Sequence, residues 1–147
     1  MRKLLIFAAG ALLSFSCTGP QSLYDWGGTT GGTCSYDYYS YRTFKTRDGR
    51  DLCNLICTYE RMVSSPGGIR QTPPPGICAE YGYLLLQPQT AETFAQYATP
   101  EQKRLFGNDF ATSFFEKGNQ LIQKEMELYP ESQVFLMPLY RKWSTRK

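Results

Sequence analysis

The chain has 147 residues, with 16 Lys and Arg against 13 Asp and Glu, a formal net charge of +3 and no histidine. Without histidine, Ser-His and Cys-His nucleophile pairs and imidazole metal ligands are excluded, so most hydrolase mechanisms lose their usual general base. The small net charge also argues against binding to nucleic acid, which requires a strongly basic surface.

The first 17 residues have the order of a bacterial lipoprotein export signal. Arg2 and Lys3 precede an uncharged run of twelve residues, 4–15, and Cys17 follows two residues later. The run is too short to span a bilayer, which takes about 20 apolar residues. We therefore predict cleavage before Cys17 and lipidation of that residue, whose acyl chains would give stable anchorage.

One position departs from the usual lipobox, because Ser14 stands where leucine is common and Leu13 lies one residue further out. A plain secretory signal and an uncleaved anchor remain the alternatives. Thr18 follows the cysteine where inner-membrane lipoproteins carry aspartate, which favours an outer-membrane protein that faces the periplasm. Removal of 16 of the 147 residues leaves 131, enough for one domain. We predict a signal peptide at 1–16, a lipidated tether at 17–33 and a single α-helical domain at 34–147.

Aromatic residues are concentrated directly after the predicted lipidation site. Segment 18–33 is rich in Gly, Thr and Ser and has neither helix nor strand periodicity, whereas 36–44 is dense in rings and fits a helix or a strand equally. Exposed rings in this region would bind a partner protein. Equally, they could cover the domain's own core. The candidate partner-binding residues are Tyr24, Trp26, Tyr38, Tyr39 and Tyr41.

The first clear helix is predicted to begin near Asp48, a good N-cap, and to end at Pro66. Its apolar stripe is formed by Leu52, Leu55, Ile56, Tyr59 and Val63. A second helix, 77–86, is apolar on more than one face and should lie in the core. Gly82 in its middle weakens the helix, which indicates a close contact with another helix.

Residues 89–107 have the pattern of an inserted pair of short helices, the second opened by a capping box at Thr99. The longest helix is predicted at about 109–129, with Gly118 toward the core. We expect Gly82 and Gly118 to lie at the contact between these two long helices, with 89–107 outside it. Pro138 should kink or divide the last segment.

Four cysteines remain after Cys17, and an even number in an exported chain predicts two disulfides. Cys53 and Cys57 lie on one helical face with nearly parallel Cα–Cβ vectors, so each should pair with a distant cysteine. Both pairings, 34–53 with 57–78 and 34–57 with 53–78, stay open. Reduced buried thiols and a four-thiolate zinc site are the alternatives. The predicted disulfide residues are Cys34, Cys53, Cys57 and Cys78.

Three motifs in this order resemble a family of outer-membrane lipoproteins of unknown function. They are Tyr24-x-Trp26-Gly27, the stretch from Pro75-Gly76 to Leu84, and Gly118 followed by 125–132. The resemblance implies tetratricopeptide-like helical hairpins and a periplasm-facing accessory subunit. Members are typically encoded beside a lipoprotein like the curli secretion pore and a second lipoprotein of unknown function. The 48-residue separation of Gly82 and Pro130 exceeds the spacing in a regular repeat.

The function predicted from the sequence is that of a lipid-anchored interaction subunit of a secretion or envelope-assembly complex, with the outer membrane and envelope lipoproteins as partners. A periplasmic ligand- or glycan-binding lipoprotein is the alternative. An enzyme with paired carboxylates is disfavoured because neighbours two apart on a helix diverge. We predict no catalytic residues, no metal site and no cofactor. The carboxylate pairs considered are Glu101 with Glu116 and Glu125 with Glu127.

Overall fold

A computed structural model describes residues 21–144. The predicted signal peptide and Cys17 lie outside the described residues. Two short strands, β1 (Thr29–Thr30) and β2 (Thr33–Cys34), form an antiparallel hairpin. The helices are α1 (Ser35–Thr46), α2 (Gly49–Ser64), α3 (Ile77–Leu85), α4 (Pro88–Tyr97), α5 (Pro100–Arg104), α6 (Phe110–Leu128) and α7 (Gln133–Ser144). The predicted helical class is confirmed for the part of the chain that the structure describes.

Side-chain caps begin three of the helices where the sequence predicts them. The Asp48 carboxylate accepts a hydrogen bond from the Arg50 N–H at the start of α2. Thr99 forms a complete capping box with Gln102 at the start of α5, and Asp109 caps α6. These local bonds satisfy amide groups that have no partner within the helix, so they fix the helix starts.

The segment 36–44, with which helix and strand were equally compatible from the sequence, is helical and lies within α1. The first turn of α1 is capped by the Cys34 sulfur, which accepts a hydrogen bond from the Asp37 N–H. Arg47 ends it in the left-handed conformation, with φ 53°. At its C-terminal end, Arg42 forms an ion pair with the buried Asp51 of α2 at 2.9 Å. Helix α1 is therefore fixed at both ends.

The sequence predicts a close contact between α3 and α6 at Gly82 and Gly118, and the structure confirms it. A Cβ atom on Gly82 would lie 2.8 Å from the Gly118 carbonyl oxygen, and one on Gly118 would lie 3.0 Å from the Gly82 carbonyl oxygen. Both obstacles are backbone atoms, which cannot rotate away. Glycine at these two positions therefore sets the distance between the helices.

The segment 89–107, expected to lie outside the Gly82–Gly118 contact, supplies core residues of its own. Phe94 of α4 is fully buried, and its ring lies 5.2 Å, between centroids, from each of Phe106, Phe110 and Phe114. Edge-on ring pairs at this spacing stabilise a core beyond their buried area. The segment thus closes the end of the core formed by α2 and the first half of α6.

The described part of the predicted tether is packed on the domain. The Ser22 and Leu23 carbonyl groups accept hydrogen bonds from the Ile69 and Arg70 amides, and Asp25 pairs with Arg61 of α2 at 3.5 Å. Gly27 and Gly28 adopt positive φ values of 80° and 74°, conformations that glycine adopts at low cost. These glycines let the chain turn against α2, a requirement that the Gly-rich composition alone did not reveal.

Pro138 lies inside α7 and does not divide it. The helix runs through to Ser144, so of the two predicted outcomes at this proline, a kink or a division, the division is wrong. Proline removes one amide donor from a helix, which an exposed position tolerates better than a buried one. Pro138 is exposed.

Candidate interaction surfaces

The five residues predicted to bind a partner differ in their exposure. Trp26 and Tyr41 are exposed, whereas the other three are partly buried. Tyr39 packs against the hydrophobic core, and Tyr38 lies edge-on to it at 5.1 Å. Tyr24 lies beside Tyr129 at the end of α6. The alternative reading, that some rings cover the domain's own core, therefore applies to Tyr39.

Trp26 begins a row of rings that leads from the surface into the core. Its ring lies 5.5 Å from Tyr36 of α1, Tyr36 lies 5.8 Å from Tyr59 of α2, and Tyr59 stacks at 5.3 Å on Tyr81 of α3. Glu80 accepts hydrogen bonds from the Tyr36 and Tyr59 hydroxyls at 2.7 and 3.0 Å. Burial raises the pKa of Tyr36 to about 12. These phenols are neutral donors that tie α1, α2 and α3 together.

A second polar cluster is centred on Glu60 and connects α2 to α6. The Glu60 carboxylate accepts hydrogen bonds from Lys117 at 2.6 Å and from Tyr81 at 2.8 Å, and Ser64 is a third donor. Burial alone would raise the pKa of Glu60, but these hydrogen bonds, that from Lys117 first, hold it below its ordinary value. An ionised carboxylate with all its donors in place is a structural cross-link.

Glu125 is buried in α6 and serves the start of α3. Its carboxylate accepts hydrogen bonds from the Gly76 amide at 2.7 Å and the Ala79 amide at 3.3 Å. Helix α3 has no side-chain cap of its own, so Glu125 performs this task from a distance of 49 residues in sequence. Burial raises the pKa of Glu125.

The carboxylates considered for catalysis are not arranged as a catalytic pair. Glu125 occupies its capping position, whereas its candidate partner Glu127 is exposed. Glu101 of α5 and Glu116 of α6 are also exposed on their helices. Paired carboxylates require a shared cleft that shifts their pKa values apart. Neither of the two pairs considered has such a setting.

The prediction of two disulfides is wrong. Cys34, Cys53, Cys57 and Cys78 are all free thiols in the structure. Cys34 caps its own helix, α1, and Cys78 is buried, with Glu125 and Lys124 of α6 among its neighbours. Helix order along the chain is therefore not sufficient to bring two cysteines within bonding distance.

The environment of the three helical cysteines is unfavourable for thiolate chemistry. Burial raises the pKa of Cys53 to about 11 and that of Cys57 and Cys78 to about 12. Thiols with such values are poor nucleophiles at neutral pH. Among residues 21–144, no three cysteine or carboxylate side chains are grouped closely enough to hold a metal ion.

The outer face of α1 carries an exposed aromatic pair, Tyr41 and Phe44. Tyr41 is 61% exposed and Phe44 is 85% exposed. They are three residues apart, which places them side by side on one helix face. The Lys45 ammonium group lies 5.4 Å from the centre of the Tyr41 ring, within the range of a cation–π contact. Phe44 is not among the residues predicted from the sequence, although its spacing from Tyr41 identifies it once 36–44 is known to be a helix.

Helix α7 also exposes apolar side chains. Val134 is 76% and Phe135 is 75% exposed, and Leu139 is exposed one turn later. The opposite face packs on the domain: Tyr140 contacts Gln123 of α6, and the Trp143 ring lies 5.5 Å from Tyr83 of α3. Beside Trp143 lies an apolar cleft of about 250 Å³. Its walls are formed by Leu85, Leu86, Gln87, Pro88, Ala91, Ala111 and Phe115.

None of the helices within residues 21–144 combines the length and the apolar character needed to cross a membrane. Comparisons with protein-family models, with curated proteins and with solved structures find no match for this chain.

Proposed function

We propose that this protein is a lipid-anchored accessory subunit on the periplasmic side of the outer membrane, where it binds a protein partner of a secretion or envelope-assembly complex. The export signal and Cys17 support the location. The exposed Tyr41–Phe44 pair on α1 supports the binding activity, and it is the observation that carries the proposal.

Tyr41 and Phe44 have the character of interface anchors. Aromatic side chains are enriched at the centres of protein interfaces, where they contribute a large share of the binding free energy. The Lys45 ammonium group beside Tyr41 adds a charged rim that favours a partner with acidic groups. An aromatic pair surrounded by charge is thus suited to a small, specific contact.

The scaffold below this pair is fixed before binding. Helix α1 is held by the ion pair between Arg42 and Asp51, by the ring contact of Tyr36 with Tyr59 and by the β1–β2 hairpin that precedes it. A surface that is already ordered loses less conformational entropy when a partner binds. This preorganisation supports α1 as the binding element.

The family resemblance suggests which secretion or envelope-assembly complex the protein belongs to. Its three motifs, which are distant in sequence, lie against one another: Tyr24 beside Tyr129, Gly76 bonded to Glu125, and Gly82 against Gly118. Because residues of the three motifs contact one another, the motifs have related structural roles, which supports their use as a family pattern. On that basis we propose a tetratricopeptide-like arrangement of α3 and α6, and a partner resembling the curli secretion pore.

The alternative is a ligand- or glycan-binding lipoprotein, for which the cleft beside Trp143 is one candidate site. Its volume of about 250 Å³ is below the ~300–1,000 Å³ typical of small-molecule sites. The cleft walls are also largely apolar, whereas glycan recognition needs several polar groups. We therefore place protein binding first.

The partner-binding proposal is tested by affinity purification of the full chain from cross-linked cell envelopes. Phe44→Ala should abolish recovery of the partner while leaving the melting temperature unchanged, because this side chain is mostly in solvent. Leu105→Ala is the matched control, since Leu105 is also exposed but lies at the end of α5. Equal partner recovery from wild type and Phe44→Ala would refute the proposal.

Lipidation is tested separately by mass spectrometry of the mature N-terminus. The proposal predicts a chain that begins at Cys17 and carries acyl chains on its thiol and amino groups. A chain that still begins at Met1, or an unmodified Cys17, would contradict the proposed anchor.

A further inference from the structure

The outer face of α7 combines apolar and cationic side chains in separate turns. Val134, Phe135, Pro138 and Leu139 occupy positions i, i+1, i+4 and i+5, which share one helix face, and all four are exposed. The last turn of the helix is basic, with Arg141 and Lys142. An amphipathic helix with rings and aliphatic side chains beside cations fits the boundary between lipid headgroups and acyl chains.

The path of the chain places α7 near the proposed lipid anchor. Only four peptide units separate Cys17 from Gln21, so Gln21 lies within about 14 Å of the lipidated residue. The next residues are bonded to the domain, and Tyr24 lies beside Tyr129. Tyr129 ends α6, and α7 begins at Gln133 after a single 3-10 turn. The Tyr24 side chain, three residues after Gln21, therefore lies beside the residue that precedes the turn into α7.

Two further facts favour lipid over a protein as the occupant of this face. The apolar patch comprises two turns of one short helix, which is small for a stable protein interface of ~800 Å² per partner. The basic last turn complements an anionic membrane surface. A domain tethered by a short linker also meets that surface at high effective concentration, so weak contacts suffice.

We infer that α7 lies on the anionic lipid surface, with Val134, Phe135 and Leu139 inserted at the headgroup level and the basic turn against lipid phosphates. This inference rests on the proposed lipid anchor for the nearness of the membrane. It assigns to α7 a second membrane contact that orients the domain. Helix α1 packs on α2, whereas α7 packs on α6, so the aromatic pair on α1 and the lipid-facing patch on α7 belong to different elements.

The test uses the full chain purified from envelopes and mixed with vesicles of phosphatidylethanolamine and phosphatidylglycerol that carry brominated acyl chains, which quench tryptophan on contact. Phe135→Trp places a reporter on α7, and Phe44→Trp places one on α1. Both positions are exposed aromatics, so neither change disturbs packing. The fluorescence of Trp26 and Trp143 is subtracted with the wild-type chain.

We expect the fluorescence added by Phe135→Trp to be largely lost in brominated vesicles, and that added by Phe44→Trp to be retained. Replacing phosphatidylglycerol by phosphatidylcholine should restore part of the Phe135→Trp signal, because the basic turn then loses its anionic partners. The inference is overturned if the Phe135→Trp signal is unquenched, or if both reporters are quenched equally. It is also overturned if the chain dimerises without vesicles and the Phe135→Trp emission is then already shifted to the blue.

These outcomes are independent of the partner-binding proposal. Loss of lipid contact at α7 leaves partner recovery through Phe44 unaffected. Failure of partner recovery with quenching at position 135 would remove the proposed interaction function and retain the membrane contact.

Discussion

Two regions of the molecule differ in how closely their residues are packed. They are the contact between α3 and α6, and the outer face of α1. At the first, Gly82 and Gly118 leave no room for a methyl group between the two backbones. At the second, Phe44 extends most of its ring into solvent. The difference separates two tasks: stability depends on the contact between α3 and α6 and on the polar groups around it, whereas recognition depends on side chains whose removal costs little stability.

The largest expected effect is at the helix contact. Gly118→Leu should lower the free energy of unfolding by about 3 kcal/mol or more, because the added side chain meets the Gly82 carbonyl oxygen and Leu86. Thermal and urea unfolding measure this loss. Gln120→Leu is the control, since Gln120 is exposed on the same helix and its replacement should change stability by less than about 0.5 kcal/mol. Similar stabilities for the two variants would show that α3 and α6 are not in tight contact.

The next effect compares two tyrosines of α1. Tyr39→Ala should cost about 2 kcal/mol, because this half-buried ring packs against the core. Tyr41→Ala should cost less than about 0.5 kcal/mol, because its ring is exposed. Chemical unfolding of both variants would measure the difference. Equal losses would mean that the outer face of α1 contributes to stability and is not reserved for binding.

A smaller effect concerns Glu60 and Glu125, whose pKa values are displaced in opposite directions from the ordinary 4.5. The pKa of Glu60 is lowered in the folded chain, so the unfolded chain binds more protons near and below pH 4.5. The contribution of Glu60 to the free energy of unfolding is therefore lost as the pH falls from about 4.5 through the lowered pKa. The pKa of Glu125 is raised, so the folded chain binds more protons and stability falls as the pH rises above about 4.5.

Glu60→Gln should cost about 1–2 kcal/mol at neutral pH, where Lys117 loses its partner, and should weaken the loss of stability in acid. Glu125→Gln should weaken the opposite trend. Urea unfolding between pH 3 and 7 (about the range over which carboxylates titrate) compares the three chains. Parallel pH profiles for wild type and both variants would show that neither carboxylate has a displaced pKa.

Local sequence signals were sufficient for the helix starts and for the closest helix contact. Asp48 and Thr99 cap the helices that they were expected to cap, and Asp109 caps the helix that was predicted to begin near it, because capping depends on only a few neighbouring residues. Gly82 and Gly118 were identified because glycine within a helix is costly unless it permits close packing.

Features that depend on distant residues were not predictable in the same way. The four cysteines remain unpaired, because a disulfide depends on the relative positions of residues distant in sequence, and no local pattern carries that information. The cap of α3 by Glu125 joins residues 49 apart. The exposure of Phe44 depends on which face of α1 packs on α2, which could not be deduced while helix and strand were equally compatible with the sequence.

The most direct test of the central claim, that the outer face of α1 binds a protein partner, is site-specific photo-cross-linking in living cells. A photoreactive phenylalanine analogue at Phe44 should give one discrete cross-linked species with an envelope protein. The same analogue at Leu105, equally accessible but on α5, should give none. No cross-link from position 44, or the same species from both positions, would contradict the claim.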